Sequence, residues 1–173
     1  DGTGFTDQAT ISAGLASTSG TLTVQDDNGN IENLTVNLTG NADQTLAIAA
    51  ADFAGSASGQ GSVTVTGGAA GRTLTMSNSL TADTIDLSGV ASNVTLSLGA
   101  TNHTVTGGSG DDVIDFGANF TNLDSFDGGL GSDTVKIAAS GSIAQPGTLT
   151  SVEKLELAAS ATSTIAATSF TGM

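Results

Sequence analysis

Apolar residues alternate with Thr, Ser and Asn along most of the chain, as in Thr21-Leu22-Thr23-Val24, Asn33-Leu34-Thr35-Val36-Asn37-Leu38 and Ser62-Val63-Thr64-Val65-Thr66. Thr73-Leu74-Thr75-Met76, Thr84-Ile85-Asp86-Leu87, Asn93-Val94-Thr95-Leu96-Ser97-Leu98, Thr134-Val135-Lys136-Ile137 and Lys154-Leu155-Glu156-Leu157 continue the pattern. A period of two residues is that of strands with one buried face, and β-branched Thr suits such strands. The pattern predicts an all-β chain, with one helical turn expected at the Ala-dense stretch Thr45 to Ala54.

From residue 62 the strands keep a beat. The first core residue moves from Val63 to Leu74, Ile85, about Leu96, Val105 and Ile114, in steps of nine to eleven residues. Glycines at strand ends recur at about twice that step, from Gly68 to Gly89, Gly108 and Gly129. Two strands and two Gly-bearing turns per roughly 20 residues describe one coil of a parallel β-solenoid; a β-sandwich of short hairpins is the competing fold. Residues 1–58 lack the beat. They are read as a β-rich N-terminal segment, either its own module or the start of the solenoid, and 59–173 as the solenoid proper, the boundary falling in the linker-like Gly55 to Gly61. Asp26-Asp27-Asn28-Gly29-Asn30, between two alternating runs, predicts a hairpin tip. It resembles an EF-hand loop only in its alternating oxygens, since Ile31 stands where that loop needs Gly.

Charge narrows the function. Among 173 residues there are 17 acids, three cations (Arg72, Lys136, Lys154) and one histidine, for a net charge of -14. So few cations cannot neutralise a row of phosphates, and six Phe with no Trp or Tyr give few faces on which bases could stack. Nucleic acid is excluded on that ground, and an anionic membrane surface by repulsion. No apolar run reaches the length of a membrane span. The chain opens at Asp1 without a signal peptide, which fits a removed leader, a fragment or another export signal, and the stop in mid-pattern at Thr171-Gly172-Met173 favours a fragment. The absence of Cys excludes disulfides and thiolate metal sites.

Two segments carry candidate chemistry. Gly107-Gly108-Ser109-Gly110-Asp111-Asp112-Val113-Ile114-Asp115 and Gly128-Gly129-Leu130-Gly131-Ser132-Asp133-Thr134-Val135-Lys136 both fit the nonapeptide G-G-x-G-x-D-x-U-x. Glycines at its first, second and fourth places let the backbone curl and turn carbonyl oxygens to one centre; the sixth-place aspartate adds a charged oxygen, and Ile114 or Val135 anchors the following strand. Six to eight hard oxygens suit Ca²⁺. The motifs start 21 residues apart, about one coil, so the turns are expected to stack. Six of the acids, Asp111, Asp112, Asp115, Asp124, Asp127 and Asp133, fall within residues 111–133 with no cation among them, an arrangement that repels itself unless solvated or neutralised. The candidate Ca²⁺ ligands are Gly107, Ser109, Gly110, Asp112 and Asp115 in the first turn, and Asp127, Gly128, Leu130, Gly131 and Asp133 in the second, Asp127 ranking below the sixth-place aspartates. The competing reading is a solvated acidic edge without an ion. A third frame, Gly67 to Thr75, has Arg72 at the sixth place and is expected to be free of metal.

The paired nonapeptides resemble those of RTX-type secreted proteins. Ser132-Asp133-Thr134-Val135, followed after a loop by Leu149-Thr150-Ser151-Val152-Glu153-Lys154-Leu155-Glu156-Leu157, is similar to the repeating unit of RTX-type bacterial surface-layer proteins and large surface adhesins. The resemblance covers roughly residues 62–170. The chain departs from tandem rolls in the insertion Phe116 to Asp127, which leaves room for one or two ions. The resemblance implies a secreted protein at the bacterial cell surface, exported unfolded by a type I system and folded by extracellular calcium. An ion that binds only the folded coil would stabilise it by mass action.

An enzyme is not expected. His103 is alone near a strand start and is read as a surface residue, and no nucleophile has a basic partner. A non-catalytic RTX module of a secreted polysaccharide-acting enzyme, or a sugar-binding module, is the alternative; the latter would lack aromatic stacking faces. The expected partners are calcium ions and further copies of the chain, in an oligomer or lattice joined through open solenoid ends.

Overall fold

The computed structural model describes residues 8–13, 20–24, 33–48, 61–80, 82–138, 142–143, 147–157 and 164–165. Among these there is no helix, and the strands build two parallel sheets. The first contains β1 (Gln8–Ala13), β3 (Asn33–Leu38), β5 (Ser62–Gly67), β7 (Thr84–Val90), β9 (Thr104–Thr106), β11 (Ser125–Asp127) and β14 (Thr148–Thr150), in that order. The second contains β2 (Gly20–Val24), β4 (Gln44–Ile48), β6 (Thr73–Leu80), β8 (Asn93–Leu98), β10 (Val113–Gly117), β12 (Thr134–Ile137) and β15 (Lys154–Leu157). Each strand pairs with the strand two along in sequence through β12, so the chain winds from one sheet to the other and back. This is a parallel β-solenoid.

The register follows from the alternation. Val63, Ile85, Val105, Phe126 and Leu149 stack in the first sheet, 22, 20, 21 and 23 residues apart. Met76, Leu96, Ile114, Val135 and Leu155 stack in the second, 20, 18, 21 and 20 residues apart. Nearly all these side chains are buried in one continuous core, while their Thr, Ser and Asn neighbours face outward. A one-residue slip would expose the whole apolar set, which pins the register. The insertion after Phe116 folds onto this core, Phe120 meeting Phe116 edge to face with centroids 4.9 Å apart. A short third pair, β13 (Ser142–Ile143) with β16 (Thr164–Ile165), adds a further parallel ladder.

The N-terminal strands join the same sheets. β3 pairs with β5 and β4 with β6, across the stretch read as a linker. Their coils are longer: Leu34 pairs with Val63 and Leu46 with Met76, 29 and 30 residues apart, which is why no beat is visible there. Two local expectations are corrected. Residues 45–48 of the Ala-dense stretch belong to strand β4, held between β2 and β6, because Gln44, Leu46 and Ile48 point inward at a period of two; residues 49–54 lie outside the described residues. The runs flanking Asp26 to Asn30 do not form a hairpin either. β2 and β3 belong to different sheets and each bonds parallel partners, so the connection crosses from sheet to sheet; the tip itself lies outside the described residues.

Candidate metal centre

The two nonapeptide turns stack at the corner where the first sheet passes to the second. β9 leads into the first turn and β11 into the second, with Thr106 in register with Asp127 and Asp127 with Thr150. Gly107, Gly128 and Ser151 therefore follow one above another. The glycines serve close approach as much as curvature. A Cβ on Gly107 would stand 2.2 Å from the Gly128 carbonyl oxygen, and one on Gly128 would stand 2.0 Å from that of Ser151. In the first turn none of Gly107, Gly108 and Gly110 has a left-handed φ, whereas Gly129 (φ 86°) and Gly131 (φ 123°) of the second do. Left-handed Gly129 and Gly131 thus curl the second turn, and close approach of the neighbouring coil requires glycine in both turns. Ser151, at φ 52°, is the non-glycine residue with positive φ among the described residues, a conformation that requires support from its surroundings.

Both sixth-place aspartates are buried, Asp112 at 0% and Asp133 at 1% exposure. They form part of a ladder running across the coils. Asp112 Oδ1 accepts the Val94 amide (2.8 Å), Asp133 Oδ1 accepts the Asp112 amide (2.8 Å), and Glu153 Oε2 accepts the Asp133 amide (2.7 Å). A second ladder runs the other way: Asn93 Oδ1 accepts from the Asp111 amide and Asp111 Oδ1 from that of Ser132. These carboxylates satisfy backbone groups that the turns leave without strand partners.

The turns differ at the second carboxylate oxygen. Asp112 Oδ2 accepts the Gly108 amide at 3.0 Å. In the next turn the equivalent Gly129 amide donates instead to Asp127 Oδ1 at 3.2 Å, and Asp133 Oδ2 is buried without a hydrogen-bond partner. That oxygen lies 2.4 Å from the point a Gly128 Cβ would occupy, on the side where the Ser151 carbonyl oxygen also approaches. Two acceptors thus crowd one glycine, and Oδ2 has no donor while Oδ1 of the same carboxylate takes the Asp112 amide. Burial pushes the Asp133 carboxyl up to about 7; the Asp112 amide pulls it down, and the charges of Asp112, Glu153 and Asp111 push it further up. Asp112 is also raised by burial, opposed by the Gly108 and Val94 amides.

The remaining predicted ligands are placed differently. Asp115 lies half-buried on the outer side of β10, in register with Lys136, its Oδ1 accepting the Gly117 amide. Asp127 is exposed and caps Gly129. Ser109 and Leu130 are exposed, Leu130 at 72%, and their amides bond the Val90 and Gly108 carbonyls. Gly110 is buried under the Ser92 carbonyl, and Gly131 approaches that of Gly110. Among the described residues no three His, Asp or Glu side chains converge as a ready metal cluster. A cation here would depend on one or two carboxylates and on backbone oxygens. Arg72 in the third frame is exposed.

Sequence reasoning missed Ser151, Glu153 and Asp124. Glu153 lies 20 residues after Asp133, one coil on, a spacing that could have marked it. Asp124 is buried at the other corner, its Oδ1 accepting the His103 amide (2.8 Å) and its Oδ2 the Thr121 amide (2.6 Å). His103 is not a surface residue. It is 1% exposed, its Nδ1–H donating to the Ala82 carbonyl (2.8 Å) with Thr101 Oγ1 3.2 Å from Nε2. Its ring joins the coil of Ala82 to its own, which removes it from solvent. Compared with protein-family models, curated proteins and solved structures, the chain finds no match.

Proposed function

We propose that this chain is a calcium-stabilised structural module of a secreted bacterial surface protein, of the surface-layer or adhesin kind, rather than an enzyme. The observation that carries the reading is the buried, unpartnered Oδ2 of Asp133 beside the Ser151 carbonyl. A buried carboxylate oxygen with no donor is costly, and a hard divalent cation or a proton would relieve it. Two stacked Gly-Asp turns, hard oxygen donors and the absence of Lys or Arg between residues 107 and 133 favour the cation. Asp133 and the Ser151 carbonyl would hold it; the ion would supply charge neutralisation and cross-link neighbouring coils. The solenoid fold suits a scaffold, since each coil contacts only its neighbours and open ends can add further copies.

Thermal unfolding followed by circular dichroism tests this. At 100 times its dissociation constant, a single ion adds about 2.7 kcal/mol. Ca²⁺ at that excess should therefore raise Tm by roughly 5–10 °C over chelator-treated protein, with a smaller effect from Mg²⁺, which demands stricter octahedral geometry. Identical melting with Ca²⁺ and with chelator would remove the calcium reading.

A further inference from the structure

The two turns look alike in sequence but are not equivalent in hydrogen bonding. We infer that the stacked turns hold one divalent cation, not two, at the corner formed by Asp133, Gly128 and Ser151, and that Asp127 creates this site while Asp112 serves as a clamp on backbone amides. The inference rests on the calcium reading above and specifies its stoichiometry and its determinant.

Each sixth-place aspartate has one oxygen committed to the amide of the preceding coil, from Val94 to Asp112 and from Asp112 to Asp133. The fate of the other oxygen is set by the amide of the motif's second glycine. In the first turn the Gly108 amide reaches Asp112 Oδ2 (3.0 Å) and completes that carboxylate with two backbone donors. In the second turn the residue before the first glycine is an aspartate. Asp127 Oδ1 takes the Gly129 amide (3.2 Å), and Gly129 adopts a left-handed conformation that Gly108 does not share. Asp133 Oδ2 is left with no donor. The corresponding residue in the first turn is Thr106, in register with Asp127, and it has no carboxylate with which to draw the Gly108 amide away. A carboxylate with two amide donors already has its charge compensated. One with a buried, unpartnered oxygen beside a carbonyl retains an acceptor for a hard cation. Residue 127 therefore decides which of two turns with the same Gly and Asp places binds.

Isothermal calorimetry with CaCl₂ near pH 7.5 tests this, on protein whose fold is verified by circular dichroism. The parent should bind one ion per chain. Asp133→Asn should abolish the binding heat, and Asp127→Thr should weaken binding at least about tenfold, since ligand availability sets affinity in such sites. Asp112→Asn should keep one site of near-parental affinity, although it loses an amide bond and should melt lower. Thr106→Asp, which leaves the clamp residue in place, should raise the stoichiometry from one to two, and this arm does not depend on Asp112→Asn folding. Two ions on the parent, equal loss of binding in folded Asp112→Asn and Asp133→Asn, or unchanged stoichiometry in Thr106→Asp would overturn the single-site assignment while leaving calcium binding intact. No heat from the parent would instead remove the calcium reading itself, and this inference with it.

Discussion

Asp133 is where individual side chains and solvent conditions meet most directly. Its carboxyl is pushed up to about 7 from an ordinary 3.8, chiefly by burial. A raised folded-state value means that the folded chain holds this proton more tightly than the unfolded chain. The stabilisation is complete below about pH 4 and is lost as pH rises through 7. Without calcium, Tm should fall as pH is raised from 5 to 8, and Asp133→Asn, which carries no titrating proton there, should flatten that fall between about pH 5 and 7. Saturating Ca²⁺ should flatten it too, because a bound cation favours the ionised form. Melting curves across that range check both; a parent and an Asp133→Asn variant with parallel pH profiles would contradict the assignment. The same residue explains why Gly128 must lack a side chain, since a Cβ would strike both the Asp133 carboxylate and the Ser151 carbonyl.

At the scale of elements, an alternating strand makes every second position a core position, whatever residue stands there. β4 shows the consequence. Gln44, Leu46 and Ile48 are all buried, and Gln44 Nε2 has no hydrogen-bond partner. An orphaned buried amide costs about 1–3 kcal/mol. Gln44→Met, similar in volume, should therefore raise stability by about 1 kcal/mol, or Tm by a few degrees. Urea unfolding checks this: a higher midpoint at unchanged slope is expected, and a lower midpoint would mean that the glutamine is bonded after all. By contrast, the outer side of β12 and β15 places Glu156 against Lys136 (3.7 Å) and Lys154; such an exposed pair adds little.

The whole molecule is a one-dimensional stack carrying a net charge of -14. Rungs about 4.8 Å apart bring acids on successive coils close together, and three cations cannot offset 17 acids. Self-repulsion should dominate the response to salt. In chelator, raising NaCl from about 0.01 M to 1 M shortens the screening length from about 30 Å to 3 Å and should raise Tm. With Ca²⁺ bound the rise should be smaller, because part of the repulsion is already neutralised. Equal salt responses with and without calcium, measured by scanning calorimetry, would argue that the ion does not touch the acidic corner.

The amino-acid sequence by itself determined the alternating runs that form strands, the coil length from residue 62 on, and the stacking of the two Gly-Asp turns, but not β4, whose Ala-rich stretch pointed to a helical turn. Each is written in spacing: a period of two along the strand and about 21 along the chain. The tertiary structure decided what spacing cannot encode. It placed β2 and β3 in different sheets, since a turn signal does not say which strand will accept its bonds. It buried His103 between coils, because solvent access depends on residues 21 positions away. It also separated two motifs with the same Gly and Asp places into a satisfied carboxylate and one with an unsatisfied oxygen. That difference rests on whether the second glycine's amide meets the sixth-place aspartate, as Gly108 meets Asp112, or the residue before the turn, as Gly129 meets Asp127, and such contacts exist only once the turns are folded.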